Sequence, residues 1–201
     1  MKYKILEEDT IFDNHFKIKK AKIEHDSFNS KTIEVNRLSF ERGDSVSILI
    51  YEKDTNSLLF TNQFRYPTIK ETSGWLIELT AGSIENNENP QYRILKEVEE
   101  EIGYKMNHIE FINSFFVSPG SSSERIFLYY SEVHSTDKVY EGGGLKSEKE
   151  DIQLVKIDLK EVVKQYKNNA FRDAKTIIGI QWFLLNKYSS IKSELDSKTT
   201  S

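Results

Sequence analysis

The segment Gly82 to Tyr104, GSIENNENPQYRILKEVEEEIGY, decides how the rest of the chain is read. Pro90 sits where a first helical turn accepts a residue without an N–H, the stretch to Ile102 contains neither Gly nor Pro, and Gly103 supplies a stop. The pattern predicts a helix over 90–102. At about 100° per residue, Glu97 and Glu101 lie about 40° apart, with Glu100 about 60° from Glu97 on its other side. Three carboxylates therefore share one face. Ile94, Leu95, Val98 and Ile102 form a separate apolar stripe, and Glu99 points away from the cluster as a bystander. Such a cluster is either a solvated acidic face or a site where a hard divalent cation relieves the repulsion between the acids.

Outward from this helix, the apolar stretches read as strands. On the N-terminal side these are FKIKKAKIEH and KTIEVNRLSF around the turn DSFNS, then SVSILIYEK and SLLFTNQFRY around Asp54-Thr55-Asn56. On the C-terminal side IEFINSFFV and ERIFLYYSEV flank the loop 118–123, and IQLVKI follows a polar, glycine-containing stretch, 140–151, that reads as a mobile loop. Two helices close the fold, 159–167 and 173–188, and the last dozen residues read as a fraying tail.

Length and composition bound the alternatives. A chain of 201 residues holds one main fold, and 37% apolar with 12% aromatic residues is enough to build a core. A net charge of −4 argues against general nucleic-acid binding. No apolar run is long enough for a bilayer helix and the first residues lack a signal peptide's apolar centre, so no membrane association and a cytoplasmic location are expected. Zero cysteines remove thiolate catalysis and disulfides. His15, His25, His108 and His134 form no His-Glu-x-x-His pattern, and no Gly-x-Ser-x-Gly elbow is present.

The spacing around the acidic helix carries a resemblance. Gly82, five residues, Glu88, seven residues, then Lys96-Glu97-Val98-Glu99-Glu100-Glu101-Ile102-Gly103-Tyr104 resembles the Nudix box, with six of seven specified positions matched. An accidental match is on the order of one in a million. The departure is Lys96 in place of Arg, which lacks the planar fork that holds a carboxylate bidentately.

Glu78-Leu79-Thr80-Ala81-Gly82, Ser118-Pro119-Gly120, Gly142-Gly143-Gly144-Leu145 with Glu148-Lys149-Glu150-Asp151-Ile152, and Asp173-Ala174-Lys175-Thr176 are similar to features of the ADP-ribose and GDP-mannose pyrophosphatase subgroup. The resemblance implies an α/β (α+β) fold: a Nudix α/β/α sandwich with a mixed sheet, spanning 44–190, preceded by a small antiparallel β segment for dimerisation at 1–43 and followed by a flexible tail at 191–201.

It further implies a hydrolase that uses Mg²⁺ or Mn²⁺ to cleave the diphosphate of a nucleoside-diphosphate sugar. ADP-ribose, giving AMP and ribose 5-phosphate, stands first; GDP-mannose or a UDP-sugar is the alternative. A non-catalytic Nudix-fold binder of nucleotide sugars is the reading from another class. By position, Glu97, Glu100, Glu101 and the carbonyl of Ala81 match metal ligands, with Gly82, Glu88, Lys96 and Gly103 completing the box. Glu148, then Glu150 and Glu124, match candidate catalytic bases. Arg65, Glu78, Ser118 and Gly120 match substrate-contacting positions, Phe16, Phe28 and Tyr66 are candidates to stack the base, and a homodimer is expected.

Overall fold

The computed structural model describes residues 1–85 and 88–199, with the side chains at 194 and 196–199 left aside. The chain forms two compact units, Met1–Asp44 with Phe115–Arg125, and Ser45–Ser114 with Ile126–Ser201.

In the first unit, β1 (Tyr3–Asp13), β2 (Lys17–Asp26) and β3 (Thr32–Glu41) make an antiparallel sheet in that order. The strand β1 lies outside the two stretches expected from sequence. Residues 115–125 join this unit, whereas sequence analysis assigns them to 44–190. The reason is backbone pairing: Phe40 N–H donates to Ser121 O (2.8 Å) and Ser123 N–H to Phe40 O (3.1 Å). Arg125 then grips Asp44 through Nε and Nη2 (3.1 and 2.6 Å).

The second unit is built on a seven-stranded sheet. Its strands are β4 (Asp44–Glu52), β5 (Ser57–Phe64), β6 (Trp75–Glu78), β7 (Thr80–Ser83), β8 (Glu110–Phe116), β9 (Arg125–Val133) and β10 (Gln153–Asp158). The order is β10-β5-β4-β9-β8, with β6 on β5 and β7 on β4. The helices are α1 (Pro90–Ile102), α2 (Leu159–Lys167), α3 (Ala174–Asn186) and α4 (Tyr188–Thr199). The chain at 191–199 is thus helical rather than a tail, while 200–201 lie outside the described residues.

Strand β4 shows why this is a sandwich. Side chains alternate along a strand, and nearly every residue of β4 is buried, so both faces of the sheet are covered. Val46, Ile48 and Ile50 pack with Ile94, Val98 and Ile102 of α1. On the alternate face, Tyr51 meets Phe183 of α3 at 5.8 Å between ring centroids, and Gly179 lets α3 approach Leu79 and Leu49.

The stretch expected to be a mobile loop is tied down at its start. Val139 and Tyr140 N–H donate to Gly103 O, Gly143 N–H to Glu101 O (2.8 Å) and Gly144 N–H to Glu100 O (3.0 Å). Gly142, Gly143 and Gly144 all have positive φ, which lets the chain turn tightly over the end of α1 and satisfy carbonyls that a helix terminus leaves open.

Candidate active site

Helix α1 begins and ends as its sequence dictates. The Asn89 side chain accepts the Gln91 and Tyr92 N–H groups (2.8 and 3.3 Å), and Gly103 in the left-handed region (φ 79°) returns its N–H to Val98 O. This fixes the rotation of the helix and therefore which acids face inward. Glu97 and Glu101 are only 6% and 5% exposed, while Glu100 is half-buried at the rim.

Room for Glu97 comes from β7. A Cβ on Gly82 would lie 1.6 Å from Glu97 Oε1 and 2.6 Å from its Cγ, so the strand passes the carboxylate as bare backbone. One residue earlier, Ala81 N–H donates to Glu101 Oε2 (3.3 Å). Two box elements distant in sequence are thereby in contact: the glycine that opens the box and the acids that close it.

Burial pushes the Glu97 carboxyl up to about 7; the neighbouring Arg93 pulls it down, and Glu100 and Glu150 add to the rise. Glu101 is raised well above the ordinary carboxyl range by burial first and by the charge of Glu97 second, with Ala81 N–H opposing. Between the ordinary value of about 4.3 and 7, folded metal-free protein binds more protons at Glu97 than unfolded chain does, so this group lowers stability as pH rises. Wild type should lose about 3 kcal/mol relative to Glu97→Gln between pH 4.3 and 7 in chelator. Urea midpoints of the two proteins measured across that range test it; parallel curves would refute it.

Lys96, the departure from the box, reaches Glu100 Oε1 at 3.5 Å from a largely exposed position. The cation on Glu97 is instead Arg93, one turn earlier, in ion contact through Nη2. Sequence reasoning missed Arg93, although an Arg four residues before a Glu on a predicted helix is a visible signal.

Beside the acids, Arg65 and Glu78 hold each other. Arg65 Nε and Nη2 donate to Glu78 Oε1 and Oε2 (2.8 and 3.1 Å), and Lys175 Nζ adds a third bond to Oε2 (2.7 Å). Burial opposes ionisation of Glu78, yet Arg65 and Lys175 outweigh it and hold its carboxyl below the ordinary range. The charges of Glu101 and Asp173 also favour the charged form of Arg65. Lys175, bridged to Asp173 at 3.0 Å, is a further member that sequence analysis quotes but assigns no role.

The three candidate bases differ in their local surroundings. Glu148 ends a single 3₁₀ turn, Lys146–Glu148, and is exposed. Glu150 accepts Leu145 N–H (2.9 Å), and its charge raises both Glu97 and Glu101. Glu124 lies in the first unit, 3.8 Å from Arg42 Nε, together with Ser118 and Gly120. Ser118 O accepts Ser121 and Ser122 N–H there, a compact turn with open space at Gly120. Of the aromatic candidates, Phe16 packs on Phe40 and under the Arg42 guanidinium (4.5 Å), whereas Phe28 is 96% exposed and Tyr66 is also exposed.

Among the described residues no group of three acidic or histidine side chains converges in metal-binding geometry. Two features nevertheless suit a hard cation. Glu97 Oε1 is buried with no hydrogen bond beyond its ion contact with Arg93, and the clustered donors are carboxylate oxygens.

A NUDIX-domain family model matches residues 41–188. The GDP-mannose pyrophosphatase of Cronobacter sakazakii is 28% identical over 179 residues, covering 88% of this chain and 92% of that one. The GDP-mannose pyrophosphatase of Citrobacter koseri is 29% identical over 183 residues, with 90% and 94% covered. Among solved structures, that of an ADP compounds hydrolase superposes with a TM-score of 0.70 at 17% identity, over 93% of this chain and 97% of the other. The matched region contains the buried glutamates, the glycine that makes room for them and the whole seven-stranded sheet, and on this ground the chain belongs to the Nudix family and is a Nudix hydrolase.

Proposed function

We propose that the protein hydrolyses the diphosphate bridge of a nucleoside-diphosphate sugar, adding water across P–O–P to release a nucleoside monophosphate and a sugar phosphate. The observation that carries this reading is the buried Glu97–Glu101 pair beneath Gly82, two carboxyls whose ionisation burial opposes. GDP-mannose moves ahead of ADP-ribose as substrate, because relatives bearing the first name match about nine-tenths of the chain.

Glu97, Glu100, Glu101 and the Ala81 carbonyl would hold Mg²⁺ or Mn²⁺. A divalent cation bound there would neutralise diphosphate oxygens and acidify a water molecule. Arg65, locked by Glu78, offers a fixed positive charge for the diphosphate without freedom to wander. Glu150 accepts the proton of the attacking water; its held carboxylate and its reach to the acidic pair favour it over Glu148 and Glu124. Gly82→Ala would displace Glu97 by the overlap of its new methyl group, and turnover should fall about 10²-fold with the fold retained. Steady-state rates alongside circular dichroism check this.

The test of the function is Mg²⁺-dependent release of nucleoside monophosphate from GDP-mannose, ADP-ribose, UDP-glucose, NADH and a nucleoside triphosphate. Selective cleavage of GDP-mannose or ADP-ribose supports the reading. Binding without turnover across the panel, with Mg²⁺ and with Mn²⁺, would overturn it.

We also infer a cytoplasmic homodimer joined through the first unit. Strand β1 is a sheet edge, and Tyr3, Ile11, Phe12, Phe28 and Leu38 expose large apolar surfaces on that small sheet. Sedimentation showing a monomer at micromolar concentration would refute the dimer.

A further inference from the structure

We propose that Arg93 is a resident counter-cation: it sits on Glu97 in the metal-free protein and leaves when a divalent ion binds, so that the ion's affinity is set by this exchange. The inference rests on the reading of Glu97 as a cation-holding side chain.

Two other arginine–carboxylate pairs of the protein allow a direct comparison. Arg65 on Glu78 and Arg125 on Asp44 each use both Nε and Nη2, one on each carboxylate oxygen. That is the geometry of a pair made to stay. Arg93 meets Glu97 Oε1 through Nη2, and its Nε takes no part. Arg93 Nε is buried without a hydrogen-bond partner, and Glu97 Oε1, the atom that Nη2 meets, has no hydrogen bond beyond that ion contact.

Burial makes this incomplete pairing informative. The Arg93 side chain is only 16% exposed and that of Glu97 8%, so both ions are desolvated and neither recovers the loss in full. A buried carboxylate oxygen held by one ion contact and no other bond is open to a stronger cation. Arg93 also has alternatives, because Glu100 and Glu88 act on its charge as well as Glu97. The guanidinium can therefore give up Glu97 and remain among acids.

The exchange has a measurable consequence. If most metal-free molecules hold Arg93 on Glu97, the apparent affinity for the ion is reduced by the fraction of sites that are free. Removing the charge should lift that reduction, giving Arg93→Gln roughly 10-fold tighter Mn²⁺ binding. Arg93→Lys keeps the charge and should stay within about 3-fold of wild type. A residue that merely aligned Glu97 for the metal would show the opposite sign, since its loss would weaken binding.

The experiment is titration of chelator-stripped wild type, Arg93→Gln, Arg93→Lys and Glu97→Gln with Mn²⁺, following free Mn²⁺ by electron paramagnetic resonance. Tighter binding by Arg93→Gln alone supports the exchange. Unchanged or weaker binding by Arg93→Gln, or equal tightening by Arg93→Lys, overturns it. If wild type binds no Mn²⁺, or Glu97→Gln binds as well as wild type, the reading of the site falls and takes the inference with it. Should Arg93→Gln fail to fold, the ¹⁵N signal of Arg93 Nε in wild type, assigned by its loss in Arg93→Lys, provides the second measurement. It should shift in step with Mg²⁺ saturation, and a signal unmoved at saturation would overturn the proposal.

Discussion

Glu101→Gln should lower turnover about 10³-fold and, in the same protein, raise the melting temperature measured in chelator. The first effect follows from removing a charge that would hold the cation, whose stabilisation of the transition state is worth several kcal/mol. The second follows from the environment of the carboxyl. Glu101 is 5% exposed and its ionisation is opposed by burial and by Glu97. A group whose folded value lies above its unfolded one weakens the fold at every pH above the ordinary carboxyl range. The amide removes that liability while its oxygen still accepts Ala81 N–H. The gain should therefore be present at pH 8 as a higher melting temperature and vanish near pH 4. Differential scanning calorimetry at the two pH values, beside kcat with saturating Mg²⁺, tests both halves. Lost activity with lost stability at pH 8 would show that Glu101 is structural.

Glu150→Gln should reduce kcat about 10³-fold, while Glu148→Gln changes it by less than about 3-fold. The contrast rests on placement. Glu150 is held by Leu145 N–H and its charge reaches Glu97 and Glu101, whereas Glu148 ends an exposed turn. The amide at 150 retains an acceptor for Leu145 N–H, so the loop should keep its shape and the loss should fall on proton transfer. Rates from pH 5 to 9 give a second readout, because a lost base flattens the alkaline-rising limb. Full activity of Glu150→Gln with a slow Glu148→Gln would reverse the assignment.

Much of this was legible in the chain itself, for reasons visible residue by residue. Helix α1 is marked by Asn89-Pro90 at one end and Gly103 at the other, and its acids repeat at helical spacing, so its limits and inward face follow from local rules. Strand β4 carries the apolar run Ile48-Leu49-Ile50-Tyr51, of the kind that a doubly covered sheet requires.

Other features depended on tertiary contact. Strand β1, YKILEEDTIFD, is exposed along almost its whole length and has no apolar alternation to announce it; pairing with β2 makes it a strand. Strands β6 and β7 are four residues each, too short for a period to register. Lys175 meets Glu78 across 97 residues of sequence, which no local pattern records. The 140–151 stretch reads as a mobile loop because its glycines are taken as freedom, whereas here they supply the positive φ that seats the chain on α1.

The way that stretch is fastened divides it into a base and an apex with different freedoms to vary. Gly143 and Gly144 are bonded to the carbonyls of Glu101 and Glu100, Ile152 N–H returns to Gly143 O, and Glu150 closes on Leu145 through both its N–H and its carboxylate. Lys146–Lys149 projects beyond these ties. A change of length or charge within that apex leaves the cap of the acidic helix undisturbed, whereas the same change at Gly142–Gly144 would unfasten it. Sequence change can therefore accumulate at the apex, as exchangeable sequence on a fixed mount, without unfastening the cap of the acidic helix.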